Sequence, residues 1–199
     1  MNILPLFPSN VIVDSINKNT DQLKNNTIFH PTNDNYDPTK EIELDFKALK
    51  RYPRIEKIII DIFKESMSDL YFNNDFKIST SWFTTIEKGE IGHYHIHKNC
   101  FYSGVYYYDE YTENSGQLEF ENPLTYINDF HLVPDKHTPT NSDSISISVK
   151  NKMIIFFPSY LRHRISRHNG DKTRKSLAFN IIPVGEYGQG DSTYNTVWT

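Results

Sequence analysis

The sequence has little of several things, and each scarcity removes a class of explanation. One cysteine, Cys100, in 199 residues forbids an intrachain disulfide. The fold must then rest on apolar burial, and a reducing cytoplasm is the expected compartment. Positive charge is not in excess: 21 Lys and Arg against 25 Asp and Glu give a formal net charge of -4, which leaves no general cationic surface for nucleic acid or anionic lipid. Long apolar runs are missing as well. Ile58-Ile59-Ile60 and Met153 to Pro158 fall far below the ~20 residues that a bilayer crossing takes, so no membrane partner is expected. The opening Met1-Asn2-Ile3-Leu4-Pro5-Leu6-Phe7-Pro8 has no cationic region and puts prolines where an export signal carries its apolar helix, so export is not expected. The length suits a single domain over residues 1–199.

What the sequence has is aromatic side chains, 13 Tyr and 13 Phe, many of them set among β-branched residues in alternating runs that favour strands. Pro5 to Ile16 reads as an opening strand and Asn17 to Lys40 as polar loop or poorly packed helix. From Pro53 to Leu70 the period is helical, with Ile55, Ile59, Ile62, Phe63 and Met67 on one face and the proline in the first turn. After Asn74 the period becomes two, through Phe76, Ile78, Thr80, Trp82, Thr84 and Ile86. Further strands are expected at Gly92 to His97, Tyr102 to Tyr108, Gln117 to Phe120, Ser144 to Val149, Met153 to Phe157, His163 to Ser166 and Lys175 to Ile182. Helical signals are nearly absent beyond Leu70. The expected fold class is therefore mainly β, an antiparallel sandwich or barrel with one or two helices packed outside. Thr125 to Asp143 reads as a long excursion of the kind that shapes a binding site.

Chemistry concentrates in the histidines. Of the eight, His93, His95 and His97 alternate in Gly92-His93-Tyr94-His95-Ile96-His97, and a period of two puts them on one face of a strand. Such a face presents two imidazoles to one metal ion, with a third ligand arriving from a distant strand. His163 is the candidate third ligand, because it follows the buried-strand pattern Met153-Ile154-Ile155-Phe156-Phe157 and the turn at Pro158-Ser159. Arg174 and Ser176 lie on the next strand, two apart and so on one face, where a guanidinium fork can grip a carboxylate. The plainer readings are that a lone histidine is a surface or satisfied core residue, and that Arg174 pairs with a surface acid at a sheet edge.

In order along the chain stand His95-Ile96-His97, Ser103-Gly104-Val105-Tyr106-Tyr107-Tyr108, Ser115-Gly116-Gln117-Leu118-Glu119-Phe120, Phe156-Phe157-Pro158-Ser159, His163 and Arg174-Lys175-Ser176-Leu177-Ala178-Phe179-Asn180. Together they resemble the 2-oxoglutarate- and Fe(II)-dependent oxygenases, and most of all their bacterial and phage branch related to prolyl hydroxylases. The opening Leu6-Phe7-Pro8-Ser9 resembles the start of that branch. The resemblance implies a double-stranded β-helix, or jelly roll, with iron at one end of the barrel. It implies His95, His97 and His163 as metal ligands and catalytic residues. The 2-oxo acid end of 2-oxoglutarate would chelate the iron, and its distal carboxylate would pair with Arg174, assisted by Ser176 and Tyr107. Dioxygen, an unknown peptide or small-molecule substrate, hydroxylation of a C–H bond, and the cytoplasm of a bacterium or phage-infected host complete the implied picture.

One position departs from the pattern that the resemblance brings. Its metal triad is His-x-Asp or His-x-Glu with a distal His, and here the second position is His97. Three readings follow: a working three-histidine centre, a pair formed by His93 and His95 with His97 outside, or a chain that binds metal poorly. The distance from His97 to Ser103-Gly104-Val105-Tyr106-Tyr107 is similar to that in the bacterial and phage branch, so the resemblance implies His95, His97 and His163. A cupin-type metalloenzyme that ignores 2-oxoglutarate and a non-enzymatic β-sandwich are the rival classes. The glutamate of a first cupin motif is missing, since Phe101 and Tyr102 stand where it belongs.

Overall fold

The structure is a computed structural model that describes residues 7–31, 45–124 and 133–196. Among them the strands are β1 (Ile12–Ser15), β2 (His30–Pro31), β3 (Asp75–Ile86), β4 (Tyr102–Tyr106), β5 (Leu118–Glu121), β6 (Ser144–Ile147), β7 (Met153–Pro158), β8 (His163–Ile165), β9 (Arg174–Tyr187) and β10 (Tyr194–Thr196). One α-helix, α1 (Pro53–Asp69), and short 3-10 turns complete the described elements. No described helix is long and apolar enough to cross a membrane.

The large sheet has the order β1-β7-β4-β9-β3-β2 with β10 added along β9, and the small sheet has the order β6-β5-β8. Every pair is antiparallel except β2 with β3. The chain passes back and forth between the sheets. It leaves β3, touches the small sheet where His95 bridges to His163, returns as β4, crosses to β5 and β6, returns as β7, crosses to β8 and ends in β9. That alternation winds a double-stranded β-helix, which is the jelly roll expected from the sequence.

Period-two patterning on β7 sorts the core into two parts. Ile154 and Phe156 face the helix side with Ile55, Ile59, Phe63 and Met67 of α1, while Ile155 and Phe157 face the small sheet with Leu118 and Phe120. Phe63 is the helix's central contact, its ring 5.0 Å from Phe76 and 5.3 Å from both Tyr102 and Phe156. Full burial of such a ring contributes roughly 1.5–3 kcal/mol, so α1 closes one face of the large sheet and leaves the other free to form a cavity.

Several boundaries differ from the sequence reading. The opening strand is confined to Ile12–Ser15, where β1 pairs with Met153 to Phe156 of β7; Pro5 and Leu6 lie outside the described residues. Gly92 to His97 is not a strand. Its partner chain turns between Ser159 and His163, so the segment finds only separate anchors: Gly92 N–H to the Ile165 carbonyl, His95 paired with His163, and His97 N–H to the Ser159 carbonyl. β9 runs past Ile182 to Tyr187 because β10 folds back to pair with its end. Residues 125–132 of the expected excursion lie outside the described residues, and the Asn122 N–H to Asp143 carbonyl bond closes its base.

Gly104 on β4 is required by close approach. A β-carbon there would lie 2.4 Å from the Phe179 ring and 2.9 Å from the Ile155 carbonyl oxygen, and the backbone contact cannot swing away. Overpacking of this kind costs about 1–3 kcal/mol. Gly104→Ala is expected to lower the unfolding free energy by that amount in a urea titration, and a change within about 0.5 kcal/mol would show that the sheet relaxes around it.

Candidate metal centre

The irregular segment after β3 and the start of β8 are locked by a reciprocal exchange: His95 N–H donates to the His163 carbonyl and His163 N–H to the His95 carbonyl, both at 3.0 Å. His95 and His163 are thus direct neighbours across the small sheet, with ring centroids 4.4 Å apart. His97 N–H donates to the Ser159 carbonyl at 3.0 Å, which turns the third ring inward, and its centroid lies 5.1 Å from that of His163. One ligand atom from each of these three histidines lies within 4.8 Å of the others, the geometry of a possible metal site. His93 is not in this group; its carbonyl lies 2.8 Å from Nδ1 of His95.

Backbone carbonyls fix two of the tautomers. Nδ1 of His95 faces the His93 carbonyl and Nδ1 of His163 the Leu161 carbonyl, each at 2.8 Å, so each Nδ1–H donates and each Nε2 keeps a lone pair. Nε2 of His97 and Nε2 of His163 stand 3.2 Å apart. Two lone pairs at that distance repel unless a proton or a cation lies between them. Two nitrogens bound at ~2.1 Å in adjacent positions of one metal ion are about 3 Å apart, so the residues fit a facial three-nitrogen site.

The same cavity continues to the other end of the large sheet, lined there by Arg174, Ser176, Thr84 and Tyr107. Arg174 and Ser176 share a face of β9 and are almost fully buried, at 3% and 1% exposure. The Arg174 Nε–H donates to the Gly116 carbonyl at 2.9 Å, and Nη1 reaches the Ser176 hydroxyl at 3.3 Å. The guanidinium carbon sits 5.3 Å from the centre of the Tyr107 ring. Nη2 of Arg174 and the Tyr107 hydroxyl are both buried without a hydrogen-bond partner. A buried cationic donor left unpaired is costly, and its natural complement is an anion with two acceptor oxygens. The structure therefore gathers all six residues singled out in the sequence around one cavity.

Sequence reasoning missed other members. Thr84 bonds Ser176 through their hydroxyls at 2.7 Å, and Trp82 stacks beside His97 at 5.6 Å. Strand parity in the run from Phe76 to Ile86 put both on one face with Phe76 and Ile78, but a register shift between Ile78 and Thr80 breaks that parity: Phe76 and Ile78 face α1, while Trp82 and Thr84 face the cavity. Tyr94 points the other way, between the guanidinium groups of Arg162 and Arg164 at 5.0 and 4.3 Å, and donates to Glu119. Burial and the Glu119 carboxylate push its phenol up to about 12.

Burial, reinforced by the neighbouring His95, pushes His97 down to about 4 and His163 down to about 3, so both are neutral at pH 7. An unfolded histidine titrates near 6.5 and binds protons that the folded chain refuses. The stability these groups hold is thus fully present above pH 6.5 and is lost as pH falls from there toward 3. Metal-free protein is expected to lose urea resistance between about pH 7 and about pH 4.5, with a shallower dependence in His163→Asn. Parallel pH curves for the two proteins would show that His163 is not held neutral.

A family model described as "Putative 2OG-Fe(II) oxygenase" matches residues 80–180. No curated protein matches the chain. HygX from Streptomyces hygroscopicus, solved with nickel and 2-oxoglutarate bound, is similar at 13% identity, over 70% of this chain and 71% of that one, with a TM-score of 0.45. A 2OG-Fe(II) oxygenase-family oxidoreductase from Burkholderia pseudomallei is similar at 10% identity and a TM-score of 0.43, over 56% of this chain. This chain covers 47% of the Burkholderia protein, just under half its length. A prolyl-4-hydroxylase from Pseudomonas putida is similar at 16% identity, over 60% of this chain and 64% of that one, with a TM-score of 0.37. The family match carries the assignment. It runs from the middle of β3 to Asn180 on β9 and so takes in every residue gathered at the cavity, and on that match the chain belongs to the 2OG-Fe(II) oxygenases.

Proposed function

We propose that the chain is a 2-oxoglutarate- and Fe(II)-dependent dioxygenase that hydroxylates a C–H bond, with His95, His97 and His163 holding the metal. The observation that supports this reading is the pairing of two unsatisfied groups in one cavity: converging imidazoles at one end and a buried, half-bonded guanidinium at the other. Arg174 grips the distal carboxylate of 2-oxoglutarate, and Ser176 and Tyr107 add donors to the same oxygens. When bound, Fe(II) with 2-oxoglutarate supplies the activation of dioxygen, with succinate and carbon dioxide as coproducts.

The chain's own part is geometric and electrostatic. The carbonyls of His93 and Leu161 aim Nε2 of His95 and His163 at the metal position, and Phe157, 4.5 Å from His163, keeps that ring dry. Three neutral imidazoles leave Fe(II) its full +2 charge where a His-x-Asp triad would leave +1, which favours the dianionic cosubstrate. We infer that the substrate is a peptidyl side chain, the class implied by the resemblance to prolyl hydroxylases. Succinate release against a panel of proline-containing peptides and free amino acids tests that class.

His95→Ala and His163→Ala are expected to fold yet to lose stoichiometric iron and all 2-oxoglutarate turnover; iron retained at one per chain in either would overturn the ligand assignment. His97→Asp is expected to keep both metal and turnover, while His93→Ala is silent; the reverse pattern would move the ligand set to His93 and His95. Truncating one partner of a buried charge-assisted pair costs about 2–5 kcal/mol. Arg174→Ala is therefore expected to weaken 2-oxoglutarate binding by roughly 30-fold to several thousand-fold in an anaerobic titration of the manganese-loaded protein, with metal affinity unchanged. Arg174→Lys recovers part of the loss, because an ammonium keeps the charge but not the fork. An unchanged dissociation constant in Arg174→Ala would remove the carboxylate clamp from the reading.

A further inference from the structure

His168 has no part in the proposed chemistry, yet it is 1% exposed and its ring is fully used. Nδ1 lies 3.3 Å from the Gly116 N–H and Nε2 lies 2.8 Å from the Lys172 carbonyl. A backbone N–H only donates and a carbonyl only accepts, so these two partners together require the tautomer with Nδ1 bare and Nε2 protonated. Its backbone is tied as well, by His168 N–H to the Glu90 carbonyl and by Gly89 N–H to the His168 carbonyl. The loop that follows folds around the ring. A β-carbon on Gly170 would stand 2.7 Å from the imidazole Cε1.

Gly116 is the link to the cavity. Its carbonyl accepts the Nε–H of Arg174 at 2.9 Å, and its N–H is the one that His168 accepts. It has to be glycine, because a β-carbon there would lie 2.6 Å from the Ser166 carbonyl oxygen. Glycine is also the residue least able to hold its own backbone direction. The carbonyl that fixes the Arg174 fork is therefore held from both sides: the Gln117 N–H of its own peptide unit donates to the Ser166 hydroxyl at 3.0 Å, and the Gly116 N–H of the preceding unit donates to His168. The second contact of the ring, to Lys172, ties down the chain two residues before Arg174 itself.

We propose that His168 is a positioning residue for the Arg174 clamp, acting through Gly116 to set the guanidinium plane that receives the distal carboxylate of 2-oxoglutarate; this rests on the cosubstrate reading above. Releasing the Gly116 N–H leaves that carbonyl tied only on its Gln117 side, and the bond that aims the Arg174 fork loosens while the guanidinium keeps its charge.

Two amide substitutions separate positioning from mere support. In His168→Asn the side-chain oxygen falls near the Nδ1 position and still accepts from Gly116. In His168→Gln the amide nitrogen falls near the Nε2 position and keeps only the Lys172 bond. Manganese-loaded protein titrated anaerobically with 2-oxoglutarate is expected to bind about 10-fold more weakly in His168→Gln and within about 2-fold of the parent in His168→Asn, with manganese affinity unchanged in both. Equal cosubstrate affinity in both variants, whatever their melting temperatures, would overturn the proposal. Arg174→Ala measured alongside identifies which reading fails: if it too binds 2-oxoglutarate normally, the clamp and the proposal fall together, and if it alone is weak, only the role of His168 falls. Should neither His168 variant fold, hydrogen exchange on the unaltered protein decides. The Gly116 amide is expected to exchange at least ~5-fold more slowly once 2-oxoglutarate is bound, and an unchanged rate would overturn the link.

Discussion

The cavity depends on two backbone hydrogen bonds, the mutual exchange between His95 and His163. There is no regular strand from Gly92 to His97, and this exchange, flanked by single bonds from Gly92 N–H to the Ile165 carbonyl and from His97 N–H to the Ser159 carbonyl, holds the chain after β3 against β8. Each bond contributes only about 0.5–1.5 kcal/mol to stability. Their weight lies in direction, because they set the imidazoles of His95 and His163 side by side while the His93 and Leu161 carbonyls hold those two rings in a single tautomer. Burial then keeps His97 and His163 uncharged, so the same packing that places the rings leaves their lone pairs available.

The other end of the cavity rests on a different kind of support. β9 pairs with β3 from Arg174 to Val184, and β4 joins its other side only from Leu177 onward, so Arg174 and Ser176 project from the start of β9, opposite Ile86 and Thr84 on the β3 ladder. A buried guanidinium is tolerable only when its donors and its charge are answered. Here the Gly116 carbonyl and the Ser176 hydroxyl answer two donors, and the Tyr107 ring answers part of the charge. The rigid β9 frame and the irregular histidine segment are thus complementary. One holds a fixed, buried charge, and the other presents imidazoles to the same cavity.

Much of this was legible in the sequence because period two is a strong signal where one face is buried. It placed β3, β4, β7 and most of β9 within a few residues, and it put Arg174 and Ser176 on one face. The same rule misread Gly92 to His97. Alternation there reflects the need for His95 and His97 to point one way, which separate backbone anchors achieve without a ladder. The link between Gly116 and His168 was invisible for another reason. A glycine contributes no side-chain pattern, and a buried histidine with two backbone partners looks in sequence like any other. Trp82 and Thr84 read as strand residues on the face of Phe76 and Ile78, and the register shift between Ile78 and Thr80 that turns them away from α1 to the cavity leaves no mark in the alternation.

The unpaired Nη2 of Arg174 and the unpaired hydroxyl of Tyr107 bear on more than affinity. A folded chain that leaves a buried donor unanswered sits closer to unfolding than one that does not, and any anion completing the set stabilises the native state in proportion to the logarithm of its concentration. Proteases act on the small open fraction of such a chain. On the cosubstrate reading proposed above, occupancy of the cavity would thus show as resistance to proteolysis that rises with the concentration of 2-oxoglutarate.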